Sequence, residues 1–100
     1  MKGAKLKRRN QDIVCAAIKA SGMSPVSGIV DVGFYWVEPN MRRDKDNIMG
    51  AHKFILDALV ETGILKDDGW RYVRNIYDKF AVNKKNPRII VTLKNTEGER

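Results

Sequence analysis

The sequence predicts a small α/β domain, with helices packed on one mixed sheet in the order helix, strand, helix, strand, strand. Three observations lead there. Apolar residues recur at helical spacing twice, over residues 7–21 and 46–63. Three runs rich in β-branched and aromatic residues, near 26–37, 70–82 and 88–94, have strand lengths and turn residues between them. A chain of 100 residues suffices for one core and not for two, so residues 1–100 read as a single domain.

The first helix rests on Ile13, Ala16, Ala17 and Ala20, with Val14 and Ile18 beside them, and Gly22 followed by Pro25 stops it. Ahead of it Lys2, Lys5, Lys7, Arg8 and Arg9 make residues 1–10 a basic arm without an acid. In "PVSGIVDVGFYWVEP", Ile29, Asp31, Gly33 and Tyr35 take one parity and Val30, Val32, Phe34 and Trp36 the other. That alternation predicts a strand from about Val26 to Val37, bracketed by Pro25 and Pro39.

In the second helix, Asp46 or Asn47 is placed to cap the N-terminus, and Gly63 stands where a left-handed C-terminal residue belongs. Ile48, Ala51, Ile55, Ala58 and Leu59 form one stripe, widened by Met49, Leu56 and Val60. So wide an apolar girth wants cover on more than one side. The sheet supplies one side, and a second subunit is expected to supply the other. After Asp67, Asp68 and Gly69, "WRYVRNIYDKFAV" alternates as a strand, and "NKKNP" is a turn. The final strand, "RIIVTLK", is expected to return antiparallel beside it as a hairpin, leaving the polar residues 95–100 as a frayed tail.

Composition excludes several classes. A hydrophobic fraction of 43% argues against wholesale disorder. Cys15, the single cysteine, cannot close an intrachain disulfide or build a cysteine zinc cluster, and reads as a small core residue of a reducing, cytoplasmic protein. No apolar run approaches the roughly 18 residues of a membrane span. Gln11, Asp12 and Lys19 interrupt the stretch after the basic start, against a secretory signal. The net charge is +7, with bases gathered at both ends, while six of the twelve acids lie between residues 44 and 68. Such an excess favours polyanionic partners; plain solubility is the bland alternative.

The acids of "RRDKDN" are the sharpest feature. Asp44 and Asp46 are two apart, so both carboxylates share a side if the backbone there is extended. Hard divalent cations take such oxygens together with water and substrate phosphate. Asp67 and Asp68 come after the helix, and a returning strand would bring one of them to the pair. Lys53, seven residues after Asp46, falls on nearly the same helix face and suits a phosphate; equally, it is four residues before Asp57 and suits a helix ion pair. His52, the only histidine, reads as an exposed helix position. Singly each acid has a dull reading: Asp46 as cap, Asp44 paired with Arg42 or Arg43, Asp67 and Asp68 as a solvated turn. Together, acids at both ends of one helix and bases around them point to a metal-dependent enzyme acting on nucleic acid.

The stretch "RRDKDNIMGAHKFILDALVETGILKDDGWRYV" resembles the RusA family of Holliday junction resolvases of bacteria and their phages. The shared pattern is D-x-D-N (Asp44, Asp46, Asn47), then K-x-x-x-D-A-L (Lys53, Asp57, Ala58, Leu59), then Gly63 and the pair Asp67–Asp68 before a strand. The resemblance implies a homodimer that binds four-way junctions and other branched DNA and nicks two strands symmetrically with magnesium, or manganese in its place. By position it makes Asp44, Asp46 and Asp68 the metal-binding catalytic carboxylates, Asp67 a secondary metal-binding acid and Lys53 the catalytic lysine. Phosphate contacts would fall to Arg42, Arg43 and Lys45, to Lys7, Arg8 and Arg9, and to Lys84 and Lys85. Two departures stand out. The step from D-x-D-N to the lysine is longer by about a helical turn. Family members also begin with a strand ahead of the first helix, where this chain has its basic run. If the chain starts at Met1, its sheet is expected to lack an edge strand, and a DNA-binding module without turnover becomes the alternative to an enzyme. A structural protein assembling through its second helix is the third reading.

Overall fold

The computed structural model describes the backbone of residues 2–96 and the side chains of residues 8–96. Helix α1 (Lys2–Ser21) leads into strand β1 (Val30–Glu38). Two short helices come next, α2 (Lys45–Met49) and α3 (His52–Glu61), and then strands β2 (Val73–Val82) and β3 (Arg88–Asn95). The α/β class and the order of helices and strands are those expected, with the second helix split in two.

The three strands lie in the order β2-β1-β3, β1 running parallel to β2 and antiparallel to β3. This corrects the expected hairpin, since β2 and β3 flank β1 and do not pair with each other. The reason is hydrophobicity. Val30, Val32, Phe34 and Trp36 of β1 are 0–2% exposed, whereas β2 and β3 carry Arg74, Lys79, Arg88 and Lys94. The strand with most to bury takes the centre and the charged strands take the edges. The turn at 83–87 is five residues long, enough to pass across the end of β1 between strands spaced about 4.8 Å apart.

One face of β1 and the helices share a single core: Val30, Val32, Phe34 and Trp36 meet Cys15 and Ile18 of α1 and Ile55, Ala58 and Leu59 of α3. Helix α1 packs along α3. The second cover that the apolar girth of α3 requires therefore comes from α1 of the same chain. Cys15 is buried there as a core residue, its Sγ 2.8 Å from Glu61 Oε2. Burial, then the bond to Glu61, pushes the thiol up to about 11.

Several boundaries move for local reasons. Gly28, at φ +75°, turns the chain after Val26, so β1 begins at Val30. Trp70 is almost fully exposed, and Tyr72 and Val73 N–H groups donate to the Gly69 carbonyl in a turn that delays β2 to Val73. Gly63 takes φ +80°, with Gly63 N–H returning to the Val60 carbonyl and Ile64 N–H to that of Leu59, the left-handed helix end its position predicted. At the chain's end, β3 runs through Asn95 and Thr96 is buried, its N–H and hydroxyl both donating to the Ile29 carbonyl. The expected fray at 95–96 is thus replaced by ordered structure; residues 97–100 lie outside the described residues. Helix α1 reaches back to Lys2, so the basic arm is helical backbone, while the side chain of Lys7 lies outside the described ones. Among the described residues no helix is long and apolar enough to cross a membrane.

Candidate active site

The acids of "RRDKDN" sit where β1 hands over to α2. Asp44 has extended backbone (φ −70°, ψ 151°) and occupies the N-cap position of α2 in place of the expected Asp46 or Asn47, with no side-chain cap bond. Asp46 Oδ1 accepts from the Asn47 N–H at 3.0 Å, within the first turn. Both carboxylates are exposed. Among the described residues neither pairs with a base, although Arg42, Arg43 and Lys45 alternate with them. Arg43 turns away and forks onto Glu38 at 3.1 and 3.0 Å, which holds its guanidinium above the ordinary value. Lys45 Nζ lies over the Phe80 ring, 5.1 Å from its centroid. The expected pairing of Asp44 with a neighbouring arginine is not formed.

Gly50 and Ala51 interrupt the helix. Ala51 N–H donates to the Ile48 carbonyl three residues back, a tightened turn, before the regular bond from Ile55 to Ala51 resumes. This turn lies between D-x-D-N and Lys53, where the longer spacing falls. Beyond it Lys53 Nζ reaches Asp57 Oδ1 at 2.9 Å and Asp68 Oδ2 at 3.5 Å. The Asp57 hydrogen bond first, then the Asp68 charge, raise its pKa. The loop after α3 thus brings Asp68 to Lys53, and not to the Asp44–Asp46 pair where a returning segment was expected to bring one of the two acids. The helix ion pair expected of Lys53 with Asp57 is formed, and the same ammonium also meets Asp68. Asp67 is exposed and points elsewhere in the turn, its Oδ2 3.5 Å from where a Gly69 Cβ would lie.

Whether these acids suit magnesium is a question of donor chemistry. The ion commonly takes one or two carboxylates and completes its shell with water and substrate phosphate. Asp44 and Asp46 are hard oxygen donors, open to solvent and unclaimed by a base among the described residues, which fits that mode. A closed protein cage is a different matter: among the described residues no three His, Cys, Asp or Glu side chains are grouped to hold a metal. Asp68 is joined to Lys53 and not to the pair.

The basic residues separate into two groups. Arg42, Arg43 and Lys45 lie just past the C-terminal end of β1, and a depression of about 410 Å³ there is lined by Glu38, Arg43, Asp44, Lys45 and Phe80. Lys84 and Lys85 join them from the turn after β2, where Asn83 N–H donates to the Glu38 carbonyl. Arg8 lies elsewhere, against the C-terminal end of α3, shared between Asp12 and Glu61 at 2.8 Å each. Those bonds raise the arginine and hold Glu61 below the ordinary carboxylate range. Arg9 is exposed one residue on.

One arrangement was not legible in the sequence. His52 is half-buried rather than exposed: its Nε2 lies 2.7 Å from Asp78 Oδ1, and its ring packs on Phe34 and Trp36 at centroid distances of 4.5 and 5.5 Å. The same Asp78 oxygen accepts from Trp36 Nε1 at 2.7 Å. This ties the α2–α3 junction to β1 and β2, immediately before Lys53. The only sequence signal was a lone histidine, and its carboxylate partner is 26 residues away.

Comparison with curated proteins returns no match. The family model described as Endodeoxyribonuclease RusA matches residues 9–94, which spans every element from α1 to β3 and all of the D-x-D-N, lysine and Asp67–Asp68 positions. The chain belongs to the RusA endodeoxyribonuclease family.

Proposed function

We propose that the protein is a structure-selective endodeoxyribonuclease that resolves four-way DNA junctions in recombination and repair, acting as a homodimer that places one nick in each of two strands. The observation that carries this is the exposed pair Asp44 and Asp46, left without a basic partner among the described residues in a chain of net charge +7. Acids that merely offset neighbouring bases would be bonded to them. Acids kept open among bases are available to a cation, and the bases to the phosphate that accompanies it.

Magnesium, with manganese as its substitute, would be held by Asp44 and Asp46, with Asp68 and Asp67 as further candidate donors, and would polarise a phosphodiester and acidify a water. The protein's own contributions are positional. The N-terminal turn of α2 presents both carboxylates at the end of β1. Lys53, drawn toward Asp68, would supply the cation that meets charge developing on the phosphate. Arg42, Lys45, Lys84 and Lys85 offer phosphate contacts around the same end of the sheet.

Incubation with a synthetic four-way junction and with a linear duplex of the same sequence, with and without magnesium, tests the reading. It predicts nicks on the junction only, in symmetric pairs, and only with the metal. A protein that binds the junction equally well in chelator but never nicks it would instead be the binding module.

A further inference from the structure

The helices cover only one face of the sheet. On the other, the register aligns Tyr35 between Lys79 of β2 and Ile90 of β3, and Gly33 between Tyr77 and Thr92, with Lys94 opposite Asp31. These residues line an open depression of about 1000 Å³. Tyr35 is 38% and Tyr77 56% exposed. Gly33 has no side chain to stand between Tyr77 and the Thr92 hydroxyl, which lies 2.6 Å from where its Cβ would be. Two phenol rings therefore stand on a shallow floor instead of packing into a filled layer.

Charge decides what such a floor suits. Lys45, Lys79 and Lys94 line it, and so do two acids, Asp31 and Asp78. Both acids are engaged from within. Asp31 accepts from Arg74 at 3.1 and 2.9 Å and from the Asn75 N–H, while Asp78 Oδ1 accepts from Trp36 and bonds His52. A second copy of the chain seated here would bring its own three lysines and the same engaged acids, so the face is not self-complementary. A polyanion finds lysines at both margins and aromatic faces between them. Sheet-borne rings flanked by lysines are suited to splayed bases, whose faces a duplex keeps stacked against one another.

We propose that this open face binds an unpaired DNA strand, Tyr35 and Tyr77 stacking its bases and Lys79 and Lys94 holding its phosphates. The inference rests on the family's DNA substrate but not on cleavage. It adds a site built on Tyr35, Tyr77, Lys79 and Lys94, none of them among the D-x-D-N acids, that engages strands opened at the centre of a branch.

The test is fluorescence anisotropy with a labelled single-stranded oligothymidine, in chelator, so that turnover plays no part and failure of the nuclease reading leaves this result independent. A Tyr35→Leu/Tyr77→Leu variant keeps apolar bulk but removes the stacking faces. Its affinity for the single strand is expected to fall at least about fivefold for each of the two tyrosines. Should that variant fail to fold, Lys79→Gln and Lys94→Gln carry the test: each is expected to lower the slope of log affinity against log salt by about 0.7. Unchanged single-strand affinity and salt slope would overturn the proposal. So would sedimentation showing that the tyrosine variant turns a dimer into a monomer, which would make the face an interface between copies.

Discussion

His52 Nε2 lies 2.7 Å from Asp78 Oδ1, and that oxygen also receives the Trp36 indole N–H. One carboxylate on an edge strand thus anchors both the central strand and the helix junction that precedes Lys53. The side chains are 24% and 17% exposed, so water competes only weakly for the bond. His52→Ala removes the bond and the ring's packing on Phe34 and Trp36, and should cost about 1–3 kcal/mol in urea unfolding. His52→Gln, able to donate to Asp78, should recover part of that loss. Equal stability of wild type and His52→Ala would show that the junction is held by packing alone.

Asp31 sets part of the acid response. Its bonds to Arg74, with a smaller part from Asn75, hold its pKa below the ordinary value against the opposing effect of burial. The folded value is the lower one, so the stabilisation is complete above the unfolded value near about 3.9 and is lost as pH falls through the folded value. Glu61, depressed by Arg8 and Cys15, acts in the same sense. Asp31→Asn should lower the thermal midpoint at neutral pH and flatten its decline below about pH 4. A decline as steep as that of wild type would remove Asp31 from the account.

Cys15 should be a poor nucleophile in the folded chain. With its thiol pushed up to about 11 and its side chain buried, little thiolate is present or reachable near pH 8. Modification by a disulfide reagent should run at least about 100-fold slower in native protein than in urea, since an unfolded thiol titrates near about 8.5. Comparable rates would mean that α1 opens readily from α3.

Lys53 belongs to the proposed chemistry and not to the core. Lys53→Met removes the cation that Asp57 and Asp68 orient. It should lower junction cleavage about 100-fold or more while leaving junction affinity and the melting temperature near wild type. A matching loss of binding would assign the lysine to holding DNA instead.

The class, the order of elements and the helix end at Gly63 were legible because local chemistry decides them: periodicity, proline brackets and a glycine where only a left-handed residue fits. The strand order was misread where a polar five-residue turn looks like a hairpin loop. The counter-signal was present in β1, whose residues 30, 32, 34 and 36 are all apolar on one parity beside two charged strands. Gly50 likewise announced the break between α2 and α3. The Asp31–Arg74 and His52–Asp78 pairs were not legible, because each joins residues far apart in sequence: the β1–β2 register brings the first together, and the packing of His52 on Phe34 and Trp36 the second. Of the site, the openness of Asp44 and Asp46 and the reach of Asp68 to Lys53 needed the fold, while the candidate residues themselves could be named from spacing.

The most direct measurement is cleavage and binding of a four-way junction by Asp46→Asn beside wild type, in magnesium. The neutral amide keeps the shape of the α2 N-terminus and removes one hard anionic donor. Paired nicks by wild type that Asp46→Asn loses at least about 100-fold, with junction affinity retained, are the predicted result. Cleavage by Asp46→Asn at the wild-type rate would contradict the account, because the exposed acids of "RRDKDN" would then have no part in the chemistry.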